Sequence, residues 1–161
     1  MATKGNKKLL GNSIKGLSGK EIIAIVKTEW NQSIVNELEK GCKKILELNN
    51  IYFKIIVVPG AMEIPFAIKK HFSSTKKIDA YIALACVIKG DTPHFDYVCQ
   101  GITQGVTILN TQLNVPVIFG VLTVNNKQQA MERIGGKHGH KGKEAAITAL
   151  KMISLNRKIS K

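Results

Sequence analysis

A histidine stands just beyond a polar turn in Val87-Ile88-Lys89-Gly90-Asp91-Thr92-Pro93-His94-Phe95-Asp96-Tyr97-Val98, where an apolar run gives way to a helix-like pattern. An imidazole in that place can take and return protons near neutral pH. Gly90-Asp91-Thr92 lacks the spacing of a Walker A loop or a GxGxxG fingerprint, so neither a nucleoside triphosphate nor a dinucleotide is supported. A single phosphate suits the turn better. Thr92 offers a hydroxyl, the turn and the helix start offer backbone N–H groups, and one cation would complete the pocket. Asp-Thr-Pro is also a common helix opening with Asp91 or Thr92 as cap, and that reading stands beside the anion site.

A second loop, Pro59-Gly60-Ala61-Met62-Glu63-Ile64-Pro65, is held by two prolines and a glycine and sets Glu63 at the opening of a helix. A carboxylate there can accept hydrogen bonds from hydroxyls. Complementing the helix dipole, worth about 0.3–1 kcal/mol, accounts for it equally well. A third segment, Met131 to Ala146, carries Arg133, Lys137, Lys141 and Lys143 on a glycine-rich hinge. His138 and His140 lie in this hinge without HExxH spacing, which disfavours a metal site, and His71 reads as a surface residue. Cys42, Cys86 and Cys99 are odd in number, lack CxxC spacing and sit among apolar residues, so buried free thiols are expected.

These residues need a scaffold, and the chain alternates strand and helix patterns. Ile22 to Val26 reads as a strand and Trp30 to about Leu48 as a helix with Ile34, Leu38, Cys42 and Ile45 on one face. Ile51 to Val58 and Glu63 to Phe72 repeat the pair. Ala80 to Ile88 is continuously apolar, as in a strand covered on both faces, and a helix from about His94 to Leu113 follows. Val115 to Leu122 is a fourth strand. Helices are expected at Lys127 to Ile134 and Glu144 to Asn156. The alternation predicts an α/β, flavodoxin-like three-layer sandwich with a four-stranded parallel sheet. The loops at Thr28–Asn31, Pro59–Pro65, Lys89–His94 and Thr123–Asn126 then open on one edge, where functional residues of such sheets gather.

The chain of 161 residues is the size of one domain, expected to span 1–161. No apolar run approaches the roughly 18 residues of a membrane span, and no signal-peptide pattern opens the chain, so a cytoplasmic protein without membrane contact is expected. The formal charge of +13 raises nucleic-acid binding, but nearly all of it is lysine scattered over helix-like segments, with only Arg133 and Arg157 as arginines. Readers of nucleic acid use arginine forks and stacking aromatics, so a lysine-rich solvated surface is the better reading. Residues 1–12 are expected to form a flexible basic arm.

Four motifs in order, PGAMEIP, VIKGDTPHFDYV, PVIFGVLT and RIGGKHGHKGKEAA, resemble those of the 6,7-dimethyl-8-ribityllumazine synthase family, with compatible spacing from about Ile22 to Arg157. The resemblance implies condensation of 5-amino-6-(D-ribitylamino)uracil with 3,4-dihydroxy-2-butanone 4-phosphate, releasing phosphate and water, with no cofactor and no metal. It implies that Trp30 stacks on the pyrimidine and that Ala61, Met62 and Glu63 bind that substrate and its ribityl chain. Cys86, Val87 and Ile88 would contact the heterocycle through backbone groups, with Phe119 as an apolar wall across a subunit boundary. Asp91 and Thr92 correspond to the phosphate-binding turn and Arg133 to a cation reaching it from a neighbouring subunit. His94 corresponds to the proton-transfer residue, Lys141 to a basic position near the ligands, and Glu144 to a partner orienting the histidine.

The chain departs from the family pattern at Glu29, where many relatives carry arginine, at Met62 in place of an aromatic, at Asn125 in place of an acidic residue, and at His140 in place of the asparagine of Gly-Asn-Lys-Gly. Family members assemble as pentamers, paired pentamers or 60-subunit shells, and the N-terminal segment, here residues 10–18, adds a strand to a neighbour's sheet. The hinge shows no insertion, which leans toward the shell, and riboflavin synthase is the implied pathway partner. A catalytically silent flavin- or lumazine-binding relative is the alternative, disfavoured by His94 and Arg133. A basic nucleic-acid-binding module is a third reading, and it explains none of the strand-end motifs.

Overall fold

Four parallel strands lie in the order β2-β1-β3-β4, formed by β1 (Ile22–Thr28), β2 (Tyr52–Val58), β3 (Ala80–Ile88) and β4 (Val117–Val124). The computed structural model describes residues 17–75 and 77–160. The arm expected at residues 1–12, and the strand-adding segment 10–18 apart from its last two residues, lie outside them. Register is continuous across the sheet, with Ile23 opposite both Phe53 and Ala80, and Tyr81 opposite Val117.

Side-chain alternation divides the core in two. Ile23 and Ile25 of β1, with Ile82, Leu84, Ile118 and Leu122, face helices α1 (Gln32–Leu48) and α5 (Lys141–Ile159). Ala24, Val26, Tyr81, Ala83, Val117 and Val121 face α2 (Ile64–Ser74) and α3 (His94–Gln112). The three-layer α/β sandwich read from the sequence is therefore the architecture found. β3 is buried through its first seven residues because both faces are covered. β2 is an edge strand, and its Tyr52, Ile55 and Val57 remain exposed.

Departures from the sequence reading cluster at element ends. Asn31 takes a left-handed backbone, φ 56°, so α1 opens at Gln32 rather than at Trp30. The helix expected at Lys127 to Ile134 stops early. A short α4 (Lys127–Met131) gives way to a hairpin of β5 (Ile134–Gly136) and β6 (Gly139–His140), because Gly135 and Gly139 adopt φ of 124° and 85°, which a helix cannot accommodate. α5 then starts at Lys141, three residues before the expected Glu144. Cys42 and Cys86 are buried, but Cys99 is only half-buried, one turn before the first buried residue of α3, Ile102.

His71 is not a free surface residue. Its Nδ1 lies 2.8 Å from the hydroxyl of Tyr81, whose side chain is fully buried under α2, and the two rings meet edge to face. A buried phenol requires such a partner.

Candidate active site

The loops after β1, β2 and β3 are stitched together at the carboxyl edge of the sheet. Glu29 donates its N–H to the Val58 carbonyl at 2.9 Å and Trp30 donates to Pro59 at 3.2 Å. The left-handed turn at Asn31 directs its Nδ2 to the Cys86 carbonyl, 2.8 Å away. Asparagine is among the few residues other than glycine that enter this conformation readily. It is a positioning element that the sequence reading missed, and the only signal for it was an asparagine just ahead of a helix.

Trp30 stays two-thirds exposed while its ring lies against Gly60. A methyl at Gly60 would stand 2.8 Å from Cε3 and Cζ3 of the indole and 2.9 Å from Oε2 of Glu63. The indole and the carboxylate thus converge where only glycine fits. Glu63 is exposed and caps nothing. Ala61 is buried beneath the loop, and the Met62 thioether covers Gly101 of α3.

The end of β3 borders the same place. Pairing with β1 ends at Leu84, whereas pairing with β4 continues to Ile88. Beyond Leu84 the β1 side of β3 therefore has no strand partner, and there the Cys86 carbonyl accepts from Asn31 instead. The side chain of Cys86 offers no chemistry, because burial pushes its thiol up to about 11.

Asp91 and Thr92 are exposed in the turn that follows, and neither caps α3, whose first residue is the exposed His94. The first-turn N–H groups of a 19-residue helix are left without a side-chain acceptor. Of the two readings the sequence left open for this turn, helix capping is absent.

Arg133 and Lys141 lie elsewhere in the chain. They share a cavity of about 490 Å³ with Thr123, Val124, Gln129 and His138. Asp91, Thr92 and His94 do not line it. The guanidinium binds Glu144 through two bonds of 3.1 and 2.8 Å and also donates to the His138 carbonyl. Those contacts use three of the five N–H groups of an arginine and leave two for a ligand. Glu144, expected to orient the histidine, holds Arg133 within its own chain instead. Burial pushes the Lys141 ammonium below its ordinary range, with Glu144 opposing the shift and Arg133 adding to it. Glu132 also lines the cavity but is paired with Lys137 at 3.0 Å, so Arg133 and Lys141 against Glu144 leave a net positive charge suited to an anion.

The structure thus brings together Trp30, Ala61, Met62, Glu63 and the Cys86–Ile88 edge, and separately Arg133 with Lys141. Phe119 is half-buried on the α2 and α3 side of β4. Among the described residues, no group of three or more His, Cys, Asp or Glu is placed to hold a metal ion, and no helix is long and apolar enough to cross a membrane.

A family model described as 6,7-dimethyl-8-ribityllumazine synthase matches residues 21–157. A protein of that name from Porphyromonas gingivalis is 52% identical over 143 residues, covering 86% of this chain and 88% of its own. Those from Parabacteroides distasonis and Bacteroides fragilis are 47% and 48% identical, covering 83% and 81% of this chain and 85% and 93% of their own. With both the parallel-sheet scaffold and nearly all of the described sequence matched, the chain belongs to the 6,7-dimethyl-8-ribityllumazine synthase family.

Proposed function

We propose that this chain condenses 5-amino-6-(D-ribitylamino)uracil with 3,4-dihydroxy-2-butanone 4-phosphate, the lumazine-forming step of riboflavin biosynthesis, with the roles of its residues as follows. The pyrimidine stacks on Trp30 and contacts the backbone at the end of β3, at Cys86, Val87 and Ile88, while Glu63, beside Ala61 and Met62, accepts ribityl hydroxyls. The observation that carries this reading is the convergence of an exposed indole and an exposed carboxylate at Gly60, with Asn31 tying the end of β3 to the same loops.

The second substrate presents its phosphate to Thr92, Asp91 and the uncapped start of α3, with Arg133 and Lys141 as counter-charges. The pyrimidine amine attacks the ketone carbon, a C–N bond forms, and water leaves to give an imine. Loss of phosphate yields an enol that tautomerises, and the ribityl-bearing nitrogen closes the ring with loss of a second water. His94 moves the protons, a contribution of about 10²–10⁴-fold, and Arg133 stabilises the departing phosphate. The substrate supplies its own nucleophile, so no residue needs to form a covalent intermediate.

Arg133 and the Asp91–Thr92 turn occupy different places in one chain, which supports a site completed by a neighbouring subunit, with Phe119 on the shared wall. The exposed Tyr52, Ile55 and Val57 on β2 and Phe66, Tyr97 and Ile108 on α2 and α3 form apolar surface suited to burial in a pentamer or a shell built from pentamers. The cytoplasm is the expected setting, and a riboflavin synthase would consume the product.

Purified protein is mixed with both substrates and lumazine formation is followed by fluorescence against an enzyme-free reaction, since the substrates condense spontaneously. Acceleration over that background, reduced by His94→Ala and by Arg133→Ala, is the expected result. A folded, assembled protein that binds lumazine but adds nothing to the spontaneous rate would replace this reading with that of a silent ligand-binding relative.

A further inference from the structure

The hinge between β5 and α5 is seated on α1 by two glycines. The half-buried His140 lies flat against Gly41, where a methyl would stand 2.6 Å from Nδ1 and nearer still to Cε1 and Nε2. Two residues on, Gly142 meets the backbone of Leu38, and a methyl there would stand 2.8 Å from the Leu38 carbonyl carbon. The seat is specific to an imidazole lying on a bare helix backbone. Nδ1 is buried without a hydrogen-bond partner among the described residues, and burial pushes the imidazole below its ordinary range, keeping the ring neutral on this apolar seat.

Both anion-binding cations hang from this seat. Lys141 follows His140 directly, and its N–H donates to the Arg133 carbonyl at 2.7 Å. Gly139, on the other side of His140, lies close enough to the Arg133–Glu144 pair that a methyl there would stand 3.3 Å from Oε1 of Glu144 and 3.7 Å from the Arg133 guanidinium. His140 is thus one peptide bond from Lys141 and pairs across the hairpin with Ile134, the residue after Arg133.

We infer that the packing of His140 on Gly41 positions Arg133 and Lys141 for the phosphate of the second substrate, making His140 a positioning residue for that substrate and not for the pyrimidine. The inference rests on the proposed synthase activity. A displaced cation of this kind weakens the substrate it holds while leaving the other, bound by Trp30 and Glu63 on separate loops, untouched.

The test is a double-mutant cycle of Gly41→Ala and His140→Ala, reading the KM of each substrate and kcat, with cooperative thermal unfolding recorded for every variant. Gly41→Ala, which drives the ring off its seat, is expected to raise the KM for the butanone phosphate about tenfold, within the roughly 10²-fold that a 1 Å misplacement can cost, with the pyrimidine KM unchanged. His140→Ala is expected to act in the same direction. The double variant, in which the new methyl meets no ring, is expected to be no worse than either single change, because coupled sites are not additive. His140→Ala needs no extra space, so it reads the seat even if Gly41→Ala does not fold. Equal rises in both KM values, no rise in either, or additive losses in the double variant would overturn the inference. A wild-type protein that fails to accelerate condensation would instead overturn the activity, so the two failures are told apart.

Discussion

At the amino edge of the sheet, Glu21 is fully buried and every strand start is tied down. Its carboxylate accepts from the backbone and hydroxyl of Ser18 at 2.7 and 2.9 Å and from Arg157 at the end of α5, which also reaches Asp79 at 3.3 Å. Asp79 in turn accepts from the Ile22 N–H at 2.8 Å. At the carboxyl edge, Trp30, Glu63, Asp91, Thr92 and His94 are exposed, and α3 opens without a side-chain cap. The same sheet therefore ties its charged groups to one another at one end, where only Oε2 of Glu21 is buried without a partner among the described residues, and leaves them open at the other. Charge and hydrogen-bonding capacity hold the chain together at the first edge and await a ligand at the second, as expected where function competes with local satisfaction.

Substitutions at the two edges should separate activity from stability. Arg133→Ala removes the open-edge cation and is expected to lower kcat/KM for lumazine formation by up to about 10³-fold, the size of losing one preorganised charge donor. Its unfolding midpoint should move little, because the arginine is tied only to Glu144 and the hairpin. A parallel collapse of stability would place Arg133 with the structural charges and break the contrast.

Glu21→Gln should do the reverse, costing about 3 kcal/mol of stability by unpairing a buried ion network while leaving the KM values intact. Burial by itself raises the Glu21 carboxyl, but hydrogen bonds from the backbone of Ser18 and Glu21, the Ser18 hydroxyl and Arg157 outweigh it and bring the group from 4.5 down to about 2. A carboxylate depressed in this way stabilises the fold fully above about pH 4.5, and the contribution disappears as the pH falls through about 2. Denaturant unfolding of wild type and Glu21→Gln at several pH values should therefore show two curves converging in acid. A gap that does not narrow would mean that Glu21 acts by packing alone.

Most of the scaffold was legible because its signals are local. The apolar run of β3 and the helical stripe of Ile34, Leu38 and Cys42 each require only neighbouring residues to be read. The β5–β6 hairpin was not legible, since it depends on two glycines adopting positive φ and on Lys141 bonding back to Arg133. The tie between His71 and Tyr81 joins residues ten apart across two elements, and nothing in the local pattern of α2 announces it. The site divided in the same way. Glu63, Asp91, Thr92 and His94 lie in turns whose residue types mark them, whereas Asn31 and Gly60 matter only through what crosses over to them. Glu144 shows the limit most clearly, because the resemblance assigned it to a histidine and geometry gave it to an arginine.

Gly60→Ala probes the open edge with a smaller expected effect. A methyl there displaces the Trp30 ring or the Glu63 carboxylate, and the KM for the ribitylaminouracil should rise about tenfold with that for the butanone phosphate unchanged. Steady-state kinetics with each substrate varied in turn checks this. Equal effects on both would mean that the two substrates share the Gly60 surface, and the division of the site into two clusters would fail.

The smallest expected effect falls on the tie that belongs to neither edge. His71→Phe keeps an aromatic edge against Tyr81 but removes the hydrogen-bond partner of its buried hydroxyl, a loss of about 1 kcal/mol. Burial pushes His71 below its ordinary 6.5, with Lys54 adding to the shift, so the unfolded chain binds a proton before the folded one does. Stability from this group is complete above pH 6.5 and falls as the pH drops below it. His140 is depressed in the same direction and contributes a like slope. Urea unfolding between neutral and mildly acidic pH should thus show a shallower acid loss for His71→Phe than for wild type, with the remainder carried by His140. An unchanged slope would mean that the folded chain protonates His71 as readily as the unfolded one, and that the pair with Tyr81 holds the charged and neutral rings equally well.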